Sequence, residues 1–396
     1  MRILMIAPEP FFRPRGTPFS VYHRLKAMSE LGHQIDLVTY PFGQDVVLPN
    51  VRIIRSPRPP GIRDVPIGPS VQKIVLDVGL VWTVFRLLRR HRYELIHTHE
   101  EAALIGAYWS RRRGIPHLYD MHSLLSQQMR NFRVPLARWA ETVWRRLERW
   151  AMQRSDAIIA ICPELANAVR RIVPDRPCTV IENVGIAEFV LRVQDVEVQA
   201  LRRRINPSGD FLIGYVGTFE PYQGIDLLME TIAVVQSRSD GMRLRWILAG
   251  VTPQERPGWD DRIRRLPHPD RVHLFDRMPP ERAAVLQKAV HLLVSPRISG
   301  TNTPLKIYSY LASGTPILAT RHPTHLQVLN DRIAILVEPT VEAFVEGVIY
   351  AMTHPDDLRM RAERAFRYFA QHYSYAAFLD KTRRVLAQFA TECVRA

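Results

Sequence analysis

The feature that most restricts the fold of this chain is the alternation of short apolar runs with amphipathic segments. Ile3–Ala7 predicts a buried strand, Ser20–Leu31 has apolar residues at helical spacing, and Ile35–Thr39 predicts a second strand. A strand, a helix and a strand in this order form a βαβ unit, in which the two strands are parallel. The beginning of the chain therefore predicts a parallel sheet with helices packed on it.

The same alternation continues through the chain, whose 396 residues exceed the size of one hydrophobic core. Further strands are predicted at Leu95–Thr98, Leu118–Asp120, Ala157–Ile161, Thr179–Glu182, Phe211–Val216, Leu244–Ala249, Val272–Phe275, Val290–Val294, Ile317–Ala319 and Ile333–Val337. A polar stretch around residues 190–209, which ends in the turn-forming Asn206-Pro-Ser-Gly209, separates the two groups. We therefore predict an α/β fold of two doubly wound, Rossmann-like domains, residues 1–195 and residues 210–373.

The net charge of +15 would suit a nucleic-acid partner, but the residue types argue against one. Only five of the 54 cationic residues are lysine, and no nucleic-acid-binding motif or zinc-ligand spacing is present. The scattered Cys162, Cys178 and Cys393 predict a reduced compartment without disulfides or a metal site. With no signal peptide and no apolar segment of about 20 residues, a cytoplasmic location is expected.

A predicted strand, a polar loop and a predicted helix follow one another in residues 290–314. Thr303 is a good N-cap, Pro304 suits the first helical position, and Gly314 suits the end of the helix. The N-terminal end of a helix attracts anions, and Lys306 adds a full positive charge there. The segment predicts a phosphate-binding site, although an ordinary surface turn explains it equally well.

Residues 135–153 form a predicted amphipathic helix with two interpretations. One face carries apolar side chains, namely Leu136, Trp139, Ala140, Val143, Leu147, Trp150 and Ala151. The other face carries Arg138, Arg145, Arg146 and Arg149. Such a helix either lies on an anionic membrane, which would make the protein peripheral on the inner face, or packs on the core with its arginines in solvent.

Several stretches are similar to segments of one enzyme family. They are Leu31-Gly-His33, Asp156–Ile161, Val180-Ile-Glu-Asn183, Tyr215–Leu228, Ser295–Gly314 and Arg364–Ala390. In these stretches the chain resembles the family-4 glycosyltransferases, whose GT-B fold has two Rossmann-like domains facing a cleft. The resemblance implies that residues 1–195 bind an acceptor, that residues 210–373 bind a nucleotide-sugar donor, and that a C-terminal helix in residues 374–396 packs back on the first domain.

Four charged positions of the family pattern carry neutral residues here. The arginine and the lysine that contact the donor diphosphate in the family match Thr218 and Gln223. The two glutamates that contact the sugar and the ribose match Thr301 and Ser309. All four replacements can still form hydrogen bonds, and Lys306 could offset a lost cation. This pattern indicates a divergent branch with altered donor contacts.

The resemblance also implies which residues form the site. His122 matches the family histidine beside the donor sugar and is the catalytic candidate, with a structural loop histidine as the alternative. The predicted donor-binding residues are Gly16, Gly217, Thr218, Gln223, Thr301, Asn302, Thr303, Lys306 and Ser309. Gly16 could equally form a plain turn. Asp120, Glu100, Glu101 and Glu220 are weaker candidates.

The family implies a retaining, metal-independent transfer that needs no cofactor. The expected acceptor is a glycan or a lipid-linked intermediate of cell-surface polysaccharide or glycolipid synthesis. Two alternatives stay open. A sugar-nucleotide epimerase shares the fold but needs acid and base carboxylates in its cleft, and an inactive donor-binding or scaffold protein would explain the four replaced charges.

Overall fold

The computed structural model describes residues 1–12, 16–65, 70–124, 137–238 and 243–390. The chain divides into two compact units, one made of Met1–Asn183 with Phe378–Ala396 and the other of Val184–Ala377. Each unit has its own clusters of buried apolar side chains, so each has its own hydrophobic core. The predicted α/β fold class is confirmed.

Within its described residues, the first unit contains one parallel sheet of seven strands. The strands are β1 (Arg2–Ala7), β2 (Gln34–Thr39), β3 (Val51–Arg55), β4 (Leu95–His99), β5 (His117–Met121), β6 (Ala157–Ala160) and β7 (Cys178–Val180). Their order in the sheet is β3-β2-β1-β4-β5-β6-β7, so the chain reverses its direction of winding between β1 and β4. Ligands of such sheets bind beyond the carboxyl ends of the strands near this reversal.

Helices connect these strands. They are α1 (Gly16–Glu30), α2 (Val71–Arg90), α3 (Ala103–Arg113), α4 (Ala137–Arg154) and α5 (Pro163–Ile172). Helix α2 begins after Ser70, whose side chain accepts the backbone N–H of Lys73, as an N-cap does. The edge strand β3 has no counterpart among the predicted strands, because its two arginines interrupt a run of only three apolar residues.

The second unit repeats the same plan with six described strands. They are β8 (Phe211–Val216), β9 (Leu244–Val251), β10 (Val272–Asp276), β11 (Leu292–Ser295), β12 (Ile317–Thr320) and β13 (Ile335–Val337). All pairings are parallel, and the order is β10-β9-β8-β11-β12-β13. The winding therefore reverses between β8 and β11.

The helices that follow β7 complete the chain. They are α6 (Ala187–Arg192), α7 (Asp195–Ile205), α8 (Ile225–Arg238), α9 (Arg256–Arg264), α10 (Pro280–Ala289), α11 (Leu305–Ser313), α12 (Pro323–Leu326), α13 (Val341–Thr353), α14 (Pro355–His372) and α15 (Tyr375–Ala390). In the described part of the chain, no helix is both long enough and apolar enough to cross a bilayer.

The predicted linker at residues 190–209 is wrong. These residues fold as α6 and α7 and belong to the second unit, which already begins at Val184. Helix α7 starts with a capping box of Gln194 and Glu197, and Arg202 on its inner side donates a hydrogen bond to the Ala289 carbonyl at 2.9 Å. The polar composition of this stretch reflects exposed helix faces rather than an unstructured connection.

The end of the chain belongs to the first unit from Phe378 onward. Thr382 of α15 accepts a hydrogen bond from Nη1 of Arg24 in α1 at 2.9 Å, and Phe378 lies under the same guanidinium, with its ring centroid 4.7 Å from Cζ. Lys381 forms a 2.6 Å ion pair with Glu182. These contacts tie α15 to the side chains that surround the carboxyl edge of the first sheet.

Helix α4 packs on α3, and its orientation differs from the predicted wheel. Ala151 and Met152 are buried, Glu148 is also buried, and Leu147 of the predicted apolar face is exposed. Outside the described residues, or without a described side chain, are Pro135, Leu136, Arg138, Trp139 and Ala140. The arginines that are described, Arg145, Arg146 and Arg149, are exposed, so the core-packed interpretation fits this helix better.

Candidate active site

A network of buried polar side chains surrounds Asp120 at the carboxyl edge of the first sheet. Asp120 lies near the end of β5, and its Oδ2 accepts a hydrogen bond from Nε of Arg24 at 2.9 Å. His97 and His99 point to the same side of β4, and a nitrogen of each lies within 3.8 Å of the same oxygen. His122, which follows β5, has Nε2 at 3.6 Å from Oδ1 of Asp120.

The charges of this network balance within the protein. Burial alone would raise the pKa of Asp120, but Arg24 and the surrounding histidines hold this pKa well below its usual range. Burial lowers the pKa of His97 and His122 and lowers the pKa of His99 further, against the opposing effect of Asp120. At neutral pH the network therefore holds one carboxylate, one guanidinium and neutral imidazoles.

The orientation of His122 is fixed by its contacts with Asp120 and His99. Its Nε2 lies 3.1 Å from Nδ1 of His99, so one of these nitrogens donates to the other and the tautomers of the two rings are linked. The residue is 6% exposed, so little of the ring is accessible. The predicted role of His122 requires such a fixed orientation, but the role itself stays a prediction.

A second, acidic cluster lies at the same edge of the sheet. Glu9 follows β1, and Glu100 and Glu101 follow β4 in a short 3-10 turn. Burial and the mutual repulsion of these groups raise the pKa of Glu9 well above its usual value and raise the pKa of Glu100 to about 8. Glu101 forms a 3.2 Å ion pair with Lys73. With a pKa of about 8, Glu100 is mostly protonated at neutral pH and can donate a hydrogen bond to a hydroxyl, and the pKa of Glu9 is shifted in the same direction.

The backbone supports this cluster at a strained position. Glu100 has φ of 49°, a conformation that side chains other than glycine rarely adopt. Its Oε2 accepts a hydrogen bond from Ser123 at 3.2 Å, so the turns after β4 and β5 are connected. Strain of this kind is concentrated at functional sites.

Three of these side chains are close enough to share a metal ion. One ligand atom from each of His97, His99 and Asp120 lies within 4.8 Å of the others. The Arg24 guanidinium, however, already contacts the Asp120 carboxylate, and its positive charge opposes a divalent cation at this place. The donor set is therefore better explained as an internally paired network than as a metal centre.

The second unit carries its candidate residues on two neighbouring loops. Gly217, Thr218 and Gln223 follow β8, while Thr301, Asn302 and Lys306 follow β11. Strands β8 and β11 are adjacent in the sheet, and the loops touch, because the N–H of Ile298 donates to the Tyr222 carbonyl at 3.2 Å.

Lys306, in the first turn of α11, has the most unusual environment of these residues. Its Nζ is buried without a hydrogen-bond partner and lies 4.1 Å from the centroid of the Tyr215 ring. The Tyr215 hydroxyl donates to the Thr218 carbonyl at 2.5 Å, which fixes the ring under the ammonium group. A Cβ at Gly217 would lie only 3.2 Å from this Nζ, so the glycine makes room for the lysine.

A second buried cation, Arg297, lies in the loop between β11 and α11. Its side chain stacks on Tyr222, with Cζ 5.1 Å from the ring centroid, and its Nε donates to the Ser299 carbonyl at 2.8 Å. Burial and the charge of Arg297 hold the pKa of Lys306 well below its usual range. Among the described residues, neither cation has a carboxylate within ion-pair distance.

The start of α11 differs from the prediction. Pro304, not Thr303, occupies the N-cap position, and no side chain caps the helix. Thr303 is buried, and its hydroxyl lies 3.4 Å from Oε1 of Gln327. Gly314 does end the helix, in the left-handed conformation, as predicted.

The remaining donor candidates fall into different environments. Thr218 and Thr301 are exposed, and Asn302 is half-buried. Gln223 is buried and its Oε1 has no partner, which leaves an acceptor available to a ligand. Ser309 is fully buried and donates to the Lys306 carbonyl at 2.8 Å, so the predicted donor contact of Ser309 has no accessible hydroxyl in this structure.

Gly16 and Glu220 are also placed. Gly16 is the first residue of α1 in the first unit, and the residues just before it lie outside the described part. Glu220 is exposed and precedes the short turn Pro221–Gln223, where its carbonyl accepts the Gln223 N–H at 2.9 Å. The donor role of Gly16 stays a prediction.

Sequence reasoning missed Glu9, Arg24, His97, His99 and Arg297. The alternation of His97 and His99 along a predicted strand placed both on one face near its carboxyl end, which could have marked them. Arg24 offered no such signal, because it lies within a helix and finds its partner 96 residues away.

Two family descriptions match this chain, one in each unit. "Glycosyltransferase Family 4" matches residues 14–184, and "Glycosyl transferases group 1" matches residues 210–354. A phosphatidyl-myo-inositol mannosyltransferase of Mycobacterium leprae is 24% identical over 403 aligned positions, which cover 99% of this chain and 98% of that protein.

Solved structures share the fold at lower identity. Sucrose-phosphate synthase of Thermosynechococcus elongatus superposes with a TM-score of 0.78 at 19% identity and covers 99% of both chains. HepE of Anabaena, solved in complex with UDP, superposes with a TM-score of 0.75 at 16% identity over 98% of this chain and all of that one. With matches to both family descriptions and this fold, the chain belongs to the family-4 glycosyltransferases.

Proposed function

We propose that the second unit binds the diphosphate of a nucleotide-activated sugar between the loops that follow β8 and β11. The observation that carries this proposal is the pair of buried cations, Lys306 and Arg297, without a carboxylate partner in the described structure. A buried positive charge without a counterion costs several kcal/mol, so the site favours a ligand that brings negative charge. Two phosphate groups would supply it.

The two cations also offset the neutral residues at the usual diphosphate-binding positions. Thr218 is exposed and Gln223 has an unpaired Oε1, so both can bond neutral parts of the donor. Lys306 reaches the same loop from α11 and lies beside Gly217. In this divergent branch of the family, the positive charge at the donor site would thus come from the segment after β11 rather than from the loop after β8. The UDP bound in the HepE structure is consistent with a nucleoside diphosphate in a fold of this kind.

For the acceptor, we propose a hydroxyl of a glycolipid or another lipid-linked glycan, bound by the first unit. Glu100, which is mostly protonated at neutral pH, and the neutral histidines suit an uncharged polyol, because they offer hydrogen-bond donors and acceptors without net charge. The name of the Mycobacterium leprae relative, a phosphatidyl-myo-inositol mannosyltransferase, supports an acceptor of this class.

The proposed reaction retains the anomeric configuration and uses no metal or cofactor. The bond between the anomeric carbon and the phosphate oxygen breaks, and Lys306 and Arg297 stabilise the charge that develops on the leaving diphosphate. The acceptor oxygen forms its bond on the same face of the sugar, and its proton passes to the leaving phosphate. His122, fixed by His99 and Asp120, would contact the sugar or orient the acceptor.

Thermal unfolding with a panel of nucleoside diphosphates and nucleotide sugars tests the donor site. A ligand at about 100 times its dissociation constant stabilises a protein by about 2.7 kcal/mol, which corresponds to a shift of several degrees. One nucleotide should give this shift in the wild-type protein and a smaller one in Lys306→Met. If none of the nucleotides shifts the transition, the replaced positions have abolished donor binding and the scaffold alternative is correct.

The location in the cell stays a prediction. We propose a cytoplasmic protein that associates with the inner face of the membrane, because a lipid-linked acceptor is presented there. In the described part of α4, the packing on α3 favours the core-packed interpretation over a membrane contact.

A further inference from the structure

Helix α2 has an apolar face that the described protein does not cover. Its inner face is made of Leu76, Leu80, Val84 and Leu88, which are buried. Its outer face carries Ile74, Val75, Val78, Val81 and Trp82, all of which are exposed. Val78 is 67% exposed and Trp82 is 48% exposed, although both are large apolar side chains.

The exposed face is continuous rather than a scatter of single residues. Positions 74, 78, 81 and 82 lie on one side of the helix and extend for about 12 Å at 1.5 Å per residue. Scattered apolar residues are normal on a protein surface, whereas a contiguous patch of this kind marks a binding surface. We call the five side chains Ile74, Val75, Val78, Val81 and Trp82 the α2 face.

Arginines border the α2 face at its C-terminal end. Arg86 stacks on Trp82, with Cζ 4.5 Å from the ring centroid, and Arg89 lies 5.5 Å from the centroid of Phe85. From the neighbouring helix α3, Tyr108, Trp109, Arg112 and Arg113 line a shallow surface depression together with Phe85 and Arg89. The aromatic rings and the guanidinium groups thus form one continuous border.

No negative charge offsets these arginines within α2. Its one acidic residue, Asp77, accepts a hydrogen bond from the Tyr40 hydroxyl at 2.6 Å and is turned away from the α2 face. An apolar stripe with tryptophan, bordered by cations and free of exposed carboxylates, has the chemistry of a helix that lies in a membrane interface.

We propose that the α2 face docks on an anionic lipid bilayer. The apolar side chains would enter the region between head groups and acyl chains, while Arg86, Arg89 and Arg113 would contact lipid phosphates. A second copy of the chain fits this surface less well. The protein carries a net charge of +15, so two copies repel each other, whereas an anionic bilayer attracts the arginines beside the α2 face.

The same helix also reaches the acidic cluster of the first unit. In its first two turns, Lys73 pairs with Glu101 at 3.2 Å and Asp77 contacts Tyr40. Bilayer contact through Ile74 and Val75 would therefore hold a lipid surface close to Glu9 and Glu100. This consequence for a lipid-linked acceptor rests on the proposed function, whereas the docking itself does not.

Vesicle flotation of the full chain at low salt tests the docking without any activity assay. The wild-type protein should float with vesicles of phosphatidylcholine and phosphatidylglycerol and should bind pure phosphatidylcholine vesicles much less. The double variant Val78→Asp/Trp82→Asp should bind at least about tenfold more weakly, because it removes apolar area and adds repulsion. Arg86→Glu/Arg89→Glu should also lose binding to the anionic vesicles.

The control variant is Val196→Asp, which changes an exposed valine in α7 of the second unit and should float like the wild type. Exposed substitutions usually change stability little, and circular dichroism of each variant verifies its fold. As a second measurement, brominated lipids should quench tryptophan fluorescence in the wild type and quench it less in Trp82→Phe.

Two results would overturn the proposal. One is a wild-type protein that does not float with anionic vesicles at low salt, and the other is undiminished flotation of a correctly folded Val78→Asp/Trp82→Asp variant. Light scattering that shows a dimer of the wild type and a monomer of this variant would assign the α2 face to a second copy instead. Failure of nucleotide binding would contradict the proposed function but would leave the flotation result unchanged.

Discussion

The two units place buried charges at equivalent edges of similar sheets, but they neutralise these charges differently. In the first unit, Arg24 and Asp120 are both 2% exposed and satisfy each other at 2.9 Å. In the second unit, the Nζ atom of Lys306 and the side chain of Arg297 are buried, and the described residues offer neither of them a carboxylate. The first arrangement is complete without a ligand, whereas the second is incomplete.

This difference separates two kinds of function at one type of sheet edge. A paired network such as that around Asp120 fixes the orientation of side chains, here His99 and His122, and gains nothing from an added ion. Two buried cations without a counterion raise the free energy of the empty site, and a bound anion lowers it. A buried charge by itself therefore does not indicate a ligand site. A buried charge without an oppositely charged partner does.

The largest expected effect comes from breaking the paired network. Asp120→Asn leaves the Arg24 guanidinium buried without its counterion and should lower the free energy of unfolding by about 3–5 kcal/mol. Urea denaturation followed by circular dichroism measures this. The double variant Arg24→Met/Asp120→Leu should recover most of the loss, because no charge then remains buried. Equal stability of Asp120→Asn and the wild type would contradict the paired network.

The corresponding change in the second unit should have the opposite pattern. Lys306→Met removes an unpaired charge, so the free energy of unfolding should stay within about 1 kcal/mol of the wild type or rise. Nucleoside-diphosphate binding should weaken by about 10- to 100-fold, the value of a charge-assisted hydrogen bond. Titration calorimetry measures both the affinity and any protons taken up.

Proton uptake sharpens this test. The pKa of Lys306 is lowered in the empty site, and a bound phosphate would raise it, so nucleotide binding should take up protons above that lowered pKa. Lys288→Met, at the other lysine of this unit, should change neither the affinity nor the proton uptake. An unchanged dissociation constant in Lys306→Met would remove this residue from the site.

A smaller effect is expected for the residue that the paired network orients. His122→Ala should reduce the turnover number at least about tenfold without unfolding the protein, because sugar or acceptor orientation is lost. Steady-state kinetics with the donor identified by thermal unfolding measure this. His33→Ala, at a histidine before β2 at the opposite edge of the sheet, is the matched control. A wild-type turnover number in His122→Ala would show that His122 does not orient the sugar or the acceptor.

The smallest effect should be a pH dependence from the acidic cluster. Burial and Glu101 raise the pKa of Glu100 to about 8 from its usual 4.5, so the folded state binds the proton more tightly than the unfolded state. The stability from this proton is complete below about pH 4.5 and is lost as pH rises through about 8. Glu100→Gln should therefore flatten the decline of unfolding free energy between these values.

Urea denaturation at several pH values measures this slope. Glu30→Gln, at an exposed carboxylate of α1, should keep the slope of the wild type. A parallel decline in Glu100→Gln and the wild type would show that Glu100 titrates normally.

The sequence predicted the elements far better than their environment. The strand Phe211–Val216 agrees residue for residue, since its run of apolar residues is nearly continuous. In α2, apolar side chains occupy both the buried face and the exposed face of the helix. Periodicity records which residues are apolar but not whether another segment covers both faces of the helix.

The amino-acid sequence by itself determined the α/β class, the two groups of parallel strands with most of their members, and the loops after β8 and β11, because these follow from local periodicity and turn-forming residues. Only the tertiary structure decided which polar groups share a buried environment. Arg24 meets Asp120 across 96 residues and Thr382 across 358 residues, whereas Lys306 reaches Tyr215 and finds no carboxylate. Charge neutralisation depends on distance in space and on burial, and neither is encoded in the spacing of residues along the chain.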